Sequence, residues 1–206
     1  MPLPAGLRQR IDEAQAQLAG SKFGHLLLAA RRGVLAAFGP VAQTGTPESG
    51  MAHVRRVNLA ILCSRQVLPV WKRAYPNNDG PERMLTLAAQ VVKSQVTQDE
   101  ARLAAARFWN ELGGIKHVPG QSAVAAGYAA ACTVTVARVD EILDPMEDES
   151  IDDDDDDPYS WSVSFYAMLA YANVDTGRSE SGVDAKREYW DWYLTRAVPL
   201  AYESVV

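Results

Sequence analysis

The stretch "SAVAAGYAAACTVTVARVDEIL", residues 122–143, carries small or apolar side chains on nearly every side of the helix that its composition predicts. A helix that is apolar all round has to be covered by neighbouring elements on all sides. Its many alanines allow those neighbours to pack closely against it. We therefore expect this helix to lie at the centre of the fold, with the other elements arranged around it.

Helical patterns also occupy most of the chain on both sides of this stretch. Apolar residues recur at helical spacing, and Gly or Pro residues mark the ends of the segments. The predicted helices cover residues 7–20, 25–39, 51–75, 81–96, 99–114 and 122–143, with two more after residue 158. No alternating strand pattern and no repeat of fixed period is present. The sequence predicts one all-α domain over residues 1–206, with about seven or eight antiparallel helices.

Local signals mark the ends and bends of these helices. Thr97 and Glu100 have the spacing of a capping box. Asp79 is placed to cap the helix at 81–96, with Pro81 in its first turn. Pro69 lies inside the 51–75 pattern, where a proline is expected to kink the helix.

The composition is that of a globular chain with its own core. It has 206 residues, of which 48% are hydrophobic. Cys63 and Cys132 both lie in apolar stretches, which is typical of free thiols in a cytoplasmic protein. Neither a signal peptide nor a membrane-spanning stretch is recognisable. These features predict a soluble cytoplasmic protein that has no membrane partner.

Acidic charge is concentrated in one segment of the chain. Residues 140–157 contain twelve acidic side chains and no basic one. The whole chain has 26 acidic and 20 basic residues, so 14 acidic and 20 basic residues remain elsewhere. The formal net charge of −6 is therefore −12 in this segment and +6 in the rest. Such a local asymmetry indicates a segment with a role of its own.

Six of these acidic residues form an uninterrupted run from Asp152 to Asp157. Adjacent like charges oppose a helix, and Pro158 disfavours a helical conformation at Asp157. Because a buried unpaired carboxylate is costly, we expect an acidic loop at about 144–157 that stays in solvent. The next helix should begin at Pro158, with Asp157 close to its positive end.

Several roles are open for this acidic loop. It could be a solvated spacer, or it could bind calcium, although the spaced ligands and turn glycine of a dedicated calcium loop are lacking. It could also face a basic partner, because a polyanionic patch steers association and can imitate nucleic-acid phosphates in the groove of a nuclease. The candidate partner-binding residues in the loop are Asp148, Glu149, Asp152, Asp153, Asp154, Asp155, Asp156 and Asp157.

A second candidate contact lies in an aromatic stretch near the C-terminal end. Tyr189, Trp190, Trp192 and Tyr193 fall within five positions, so they must point to more than one face of a helix. The stripe formed by Trp190, Tyr193 and Ala197 is expected to enter the core. Trp192 then lies on another side, where it is a candidate contact for a protein partner.

Motifs for catalysis or cofactor binding are absent from the sequence. It has no phosphate-binding glycine loop, no zinc-binding cysteine pair and no His-Glu-x-x-His motif. His25, His53 and His117 are far apart along the chain. A pocket in which His53 or His117 lies beside carboxylates would support an enzyme. Without such a pocket we expect no catalytic residue, no metal and no cofactor.

The segment "VLPVWKRAYPNNDGPERMLTLAAQVV", residues 67–92, resembles one known family, immunity family five of the bacterial polymorphic toxin systems. The positions that match the family pattern are Leu68–Pro69, Tyr75–Pro76, Asp79 and Pro81. The C-terminal "REYWDWYLTRAVPLAYES", residues 187–204, is similar to the family's closing helix. Gly80 stands where the family usually has an arginine, so the role of that guanidinium is absent or falls to a residue such as Arg83.

The resemblance implies an all-α protein that binds and neutralises a cognate toxin by direct contact, without catalysis, a cofactor or nucleic-acid binding of its own. The acidic loop would face a basic surface of that toxin, and nucleases are one toxin class with such a surface. The alternative is a non-catalytic helical scaffold or adaptor, which shares the helical composition but has no toxin partner. A neighbouring gene that encodes a toxin domain would separate the two.

Overall fold

The computed structural model describes residues 2–41, 47–115, 121–140 and 152–204. A π-helical turn, Tyr193–Ala197, joins the last two helices without interruption. The described residues contain no strand, so the predicted all-α class is confirmed. The helices are α1 (Ala5–Gly20), α2 (Leu28–Ala36), α3 (Pro47–Ala74), α4 (Gly80–Val92), α5 (Gln98–Gly113), α6 (Gln121–Arg138), α7 (Val163–Ala172), α8 (Val183–Trp192) and α9 (Val198–Glu203).

The helix at the centre of the fold is α6, as its composition predicts. It packs against α3, α4, α5 and α7. Ala126, Ala129, Ala130 and Val134 are each at most 1% exposed, so small side chains form its contacts with these neighbours. One cluster of buried apolar side chains includes residues of every helix from α1 to α9. The described helices therefore share a single core.

The close packing of α6 is visible at Gly127. A Cβ atom there would lie 2.5 Å from Cδ2 of Leu112 and 3.0 Å from Cζ3 of Trp71. We expect Gly127→Ala to destabilise the fold by about 1–3 kcal/mol through overpacking, although alanine favours a helix. Gly6→Ala in α1, where a Cβ would meet no atom within 4 Å, is the matched control. Equal free energies of unfolding in urea for the two variants would contradict this packing.

The helix starts confirm one capping prediction and correct another. Thr97 and Glu100 form the predicted capping box at the start of α5, in which each side chain accepts a hydrogen bond from the other residue's backbone N–H. At the start of α4, Asp79 makes no side-chain cap. Oδ1 of Asn78 instead accepts the N–H of Gly80 at 2.8 Å. The turn residue just before the predicted cap therefore stabilises the start of α4.

The glycine at position 80 has a packing reason. A Cβ atom at Gly80 would lie 2.3 Å from Cε2 of Phe108, so no larger side chain fits there. Where the resemblance places an arginine, this chain therefore has a glycine, and close contact between α4 and α5 leaves no room for a side chain. Arg83 pairs with Asp79 at 3.1 Å, and both side chains are mostly exposed.

Pro69 lies within α3, which continues beyond it to Ala74.

The predicted aromatic stripe enters the core. Trp190, Tyr193 and Ala197 are each at most 1% exposed, and Tyr189 is buried with them. Trp192 is half-buried, and its ring centroid lies 5.6 Å from that of Tyr189. A partner could reach only part of the Trp192 ring, and its role as a partner contact stays a prediction.

None of the helices in the described ranges has both the length and the apolar character that a bilayer-spanning helix requires.

Candidate functional site

The aspartate run, Asp152–Asp157, does not stay in solvent as a whole. Asp152 and Asp153 are 3% and 2% exposed, so the prediction of a fully solvated run is wrong for these two residues. Asp153–Asp155 form one turn of 3-10 helix instead of an extended loop. Because like charges oppose such a turn, each of these carboxylates needs a partner of its own.

The first aspartate of the run pairs with a buried histidine. Nε2 of His25 donates to Oδ1 of Asp152 at 3.1 Å. Nδ1 of His25 is buried, and no described residue gives it a hydrogen-bond partner. A neutral ring with its proton on Nε2 leaves an unpaired acceptor at Nδ1, whereas a charged ring would place an unpaired N–H donor and a positive charge there. The geometry therefore favours neutral His25.

The second aspartate forms an ion pair with a buried arginine. The Nη2 group of Arg31 contacts Oδ2 of Asp153, and the two side chains are 1% and 2% exposed. Nη1 of Arg31 donates to the hydroxyl groups of Ser162 and Ser164, and Nε donates to the carbonyl of Leu26. Burial lowers the pKa of Arg31 to about 10, so the guanidinium stays charged at neutral pH. Arg31 thus ties α2 to the aspartate run and to the start of α7.

The next two aspartates bind the loop between α7 and α8. Asp154 accepts the backbone N–H groups of Gly177 and Arg178 at 3.1 and 2.8 Å. Both carboxylate oxygens of Asp155 accept from the guanidinium of Arg178. The buried ammonium group of Lys186 donates to the carbonyl of Gly177 at 2.8 Å. Asp152–Asp155, the inner aspartates, therefore hold parts of their own chain together.

The end of the run is exposed. Asp156 and Asp157 both lie at the surface, and the indole N–H of Trp161 donates to the backbone carbonyl of Asp156 at 3.3 Å. A turn of 3-10 helix does begin at the predicted start, Pro158, but it ends at Ser160, and the α-helix α7 begins only at Val163. The hydroxyl of Ser162 caps α7 there, so Asp157 does not stabilise its first turn. The candidates Asp148 and Glu149 lie outside the described residues.

A second buried ion pair lies at the other end of the acidic segment. Nε and Nη2 of Arg56 each donate to the carboxylate of Asp140 at 2.6 Å, and both side chains are at most 4% exposed. Arg56 also donates to the backbone carbonyls that follow α2, those of Leu35, Gly39 and Pro40. Residues 141–151, with five acidic side chains and no basic one, are therefore bounded in sequence by carboxylates anchored in the fold.

A cation site in the aspartate run is not supported by the contacts of its carboxylates. His25, Asp152 and Asp153 offer ligand atoms within 4.8 Å of one another. Calcium takes six to eight oxygen ligands. Here the two carboxylates already accept from His25 and from the permanently charged Arg31. The arrangement suits internal ion pairing better than a bound cation.

The two histidines and two thiols that the structure describes do not assemble an acid–base or nucleophilic site. The ring of His53 bonds through Nε2 to the carbonyl of Val136 at 2.8 Å, His25 pairs with Asp152, and His117 lies outside the described residues. Burial raises the pKa of the Cys63 and Cys132 thiols to about 12. Thiols of such high pKa are poor nucleophiles.

A cleft with a volume of about 750 Å³ lies beside the run. It is bounded by α2, α3, α5, α6 and the start of α7, and Asp153, Asp156 and the two indoles of Trp109 and Trp161 line it. Its volume falls within the usual range of ligand pockets. Sequence reasoning missed this cleft, because its walls come from six separate segments of the chain.

The His25–Asp152 pair makes the stability of the fold depend on pH. Burial lowers the pKa of His25, and the nearby Arg31 charge adds to this, although the hydrogen bond with Asp152 opposes it. In the unfolded chain a histidine has a pKa of about 6.5. As the pH falls below that value, the unfolded chain binds a proton that the folded chain does not, so the free energy of unfolding decreases.

We therefore expect urea unfolding to give the full free energy of unfolding above about pH 6.5 and progressively less below it. The variant His25→Gln keeps a donor for Asp152 but does not titrate, so its dependence should be flatter. The pKa of Asp152 is also below its usual value, because the hydrogen bond from His25 and the Arg31 charge outweigh burial. The free energy of unfolding that ionised Asp152 contributes is lost only below about pH 4. An unchanged slope in His25→Gln near pH 6 would contradict the account of His25.

The comparisons with known proteins give one finding. A family model described as "Immunity protein Imm5" matches residues 11–200. Among the described helices, α2 to α9 all begin within this range, and only α1 begins before it. A comparison with curated proteins gives no match.

Proposed function

The chain belongs to the Imm5 family of immunity proteins, and from this we infer that it binds and neutralises a cognate toxin by direct protein–protein contact. The observation that carries the proposal is the family match, which spans residues 11–200 and so nearly the whole chain. An inhibitor that acts by contact needs a stable scaffold and a complementary surface. It needs neither a catalytic group nor a cofactor.

The surface that we propose for the toxin consists of the exposed end of the aspartate run and of acidic residues that precede the run in sequence. The inner aspartates hold parts of their own chain together, whereas Asp156 and Asp157 are exposed, so we assign the contact to these two residues together with Asp148 and Glu149. Arg178 neutralises the Asp155 carboxylate, which leaves that residue a weaker candidate. Buried ion pairs at Asp140 and Asp153 support this assignment, because a rigid base reduces the entropy lost when a charged surface binds.

The toxin surface that fits these carboxylates is basic, and a nuclease is the toxin class that we favour. Nucleases carry basic grooves for phosphates, and carboxylates in a row can occupy such a groove. The acidic residues would also accelerate encounter at low ionic strength. We propose no direct contact of this protein with nucleic acid, because exposed carboxylates such as those of Asp156 and Asp157 would repel phosphates.

Co-expression with the toxin encoded beside its gene tests the proposed function. We expect the wild-type chain to restore growth to cells that express this toxin and to elute with the toxin as one complex. A chain that neither protects the cells nor binds the toxin would contradict the immunity proposal and favour the helical scaffold or adaptor. Protection without a complex would contradict inhibition by direct contact.

A further inference from the structure

The strongest unassigned feature of the described residues is the cleft beside Asp156. Its rim includes Asp156, Asn110 and Ser160, all of which are exposed, while Cys63 and Tyr193 lie at its buried end. Tyr193 belongs to the π-helical turn between α8 and α9. Such turns occur often at functional sites. The cleft is therefore open to a partner and reaches into the core.

Two indoles give the cleft an aromatic wall. Trp109 and Trp161 both line it and are both half-buried. Their ring centroids lie 6.2 and 5.4 Å from that of Tyr166, which supports both rings from behind. The faces of tryptophan rings attract ammonium and guanidinium groups, most strongly where the cation is partly desolvated.

The charges of the cleft favour a cationic occupant on the side of Trp161. The positive charge of Arg56 is neutralised by the carboxylate of Asp140. Arg31 lies behind Asp153, and the carboxylate of Asp153 neutralises its charge. Arg32 lines the wall that α2 contributes to the cleft, and it already interacts with another group of the protein. Asp156 is held next to the indole of Trp161 by the hydrogen bond to its carbonyl, and its exposed side chain adds negative charge there.

We propose that this cleft receives an arginine or lysine side chain of the bound toxin, which lies against Trp109 and Trp161 and pairs with the carboxylate of Asp156. The inference rests on the proposed function and adds to it a defined anchor for the basic partner. Interfaces commonly depend on a few anchors of this kind, in which arginine and tryptophan are enriched. The remaining acidic residues then contribute mainly to steering.

A small probe tests the cleft without the toxin. N-acetyl-arginine amide is titrated into the full-length protein while the indole N–H signals of Trp109 and Trp161 are followed by NMR. N-acetyl-citrulline amide, which has nearly the same shape and no charge, is the control probe. We expect the arginine probe to shift both signals and the citrulline probe to leave them in place. Equal shifts with both probes, or none with arginine, would overturn the proposal.

Two substitutions sharpen the test. Asp156→Asn changes an exposed residue and should weaken probe binding by roughly twofold to fivefold, as expected for a surface ion pair. Trp109→Leu should weaken it by about threefold to tenfold. Asp12→Asn, at an exposed position of α1, is the matched control and should have no effect. Probe binding that is unchanged in both cleft variants would overturn the assignment of these residues.

The toxin itself separates this inference from the proposed function. If the wild-type chain binds the toxin and both cleft variants bind it equally well, the immunity function stands and the cleft inference falls. If both variants bind the toxin more weakly by the factors seen with the probe, the inference is supported. A wild-type chain that binds no toxin would contradict the proposed function on which the inference rests.

Discussion

Asp153→Asn is expected to destabilise the fold by about 3–5 kcal/mol, because it leaves the guanidinium of Arg31 buried without a charged partner. Arg31 is also held by Ser162 and Ser164, but neutral hydroxyls do not compensate a buried charge. The loss should appear in urea unfolding as a lower midpoint with an unchanged slope. Such an effect is large for a single substitution within a run of six aspartates.

Asp156→Asn is the matched control for this prediction, since it makes the same chemical change three positions along the run at an exposed site. We expect it to change the free energy of unfolding by no more than about 0.5 kcal/mol. Similar effects at the two positions would contradict the division of the run into buried and exposed aspartates. Arg31→Met should reproduce the loss seen with Asp153→Asn, because either substitution breaks the same pair.

Arg56→Met is expected to have an effect of similar size, about 3–5 kcal/mol. It removes the two hydrogen bonds to the buried carboxylate of Asp140 and the donors for the carbonyls of Leu35, Gly39 and Pro40. Methionine fills a similar volume, so the loss reports on charge and hydrogen bonding more than on packing. Thermal or urea unfolding measures it.

The control for Arg56→Met is the same substitution at Arg65, an exposed residue of the same helix. Arg65→Met should leave the free energy of unfolding within about 0.5 kcal/mol of the wild-type value. If Arg56→Met is equally mild, the pair with Asp140 does not anchor the end of α6. Asp140 would then not be an anchored boundary of residues 141–151.

Features of the fold that depend on neighbouring residues could be predicted from the sequence. The small residues of α6 indicated a central helix, and the Thr97–Glu100 spacing indicated a helix start. The aromatic stripe through Trp190 and Tyr193 follows from helical periodicity alone, and both rings are buried. Such signals lie within a few turns of the chain and do not depend on distant partners.

The placement of the aspartates could not be predicted in this way, because their partners are distant in sequence. His25 and Arg31 lie 127 and 122 residues before Asp152 and Asp153. One signal was present in the sequence, since Arg31 lies on the same helical stripe as Leu28 and Val34, which are buried. An arginine on an apolar stripe needs a buried carboxylate. The charge pattern does not say which carboxylate that is.

We propose that Asp156 and Asp157, together with Asp148 and Glu149, bind a basic toxin, while the inner aspartates hold the fold together. The most direct measurement is calorimetric titration of the purified toxin with the wild-type chain and with one quadruple variant, each at low and high salt. The variant changes Asp148, Asp156 and Asp157 to Asn and Glu149 to Gln. A control variant removes four exposed charges elsewhere, at Asp12, Asp99, Glu111 and Asp191.

We expect the quadruple variant to remain folded, to bind the toxin at least about tenfold more weakly than the wild type at low salt, and to lose most of the salt dependence. The control variant should bind as the wild type does. Unchanged affinity and unchanged salt dependence in the quadruple variant would contradict the claim, because the toxin would then contact another surface of the protein.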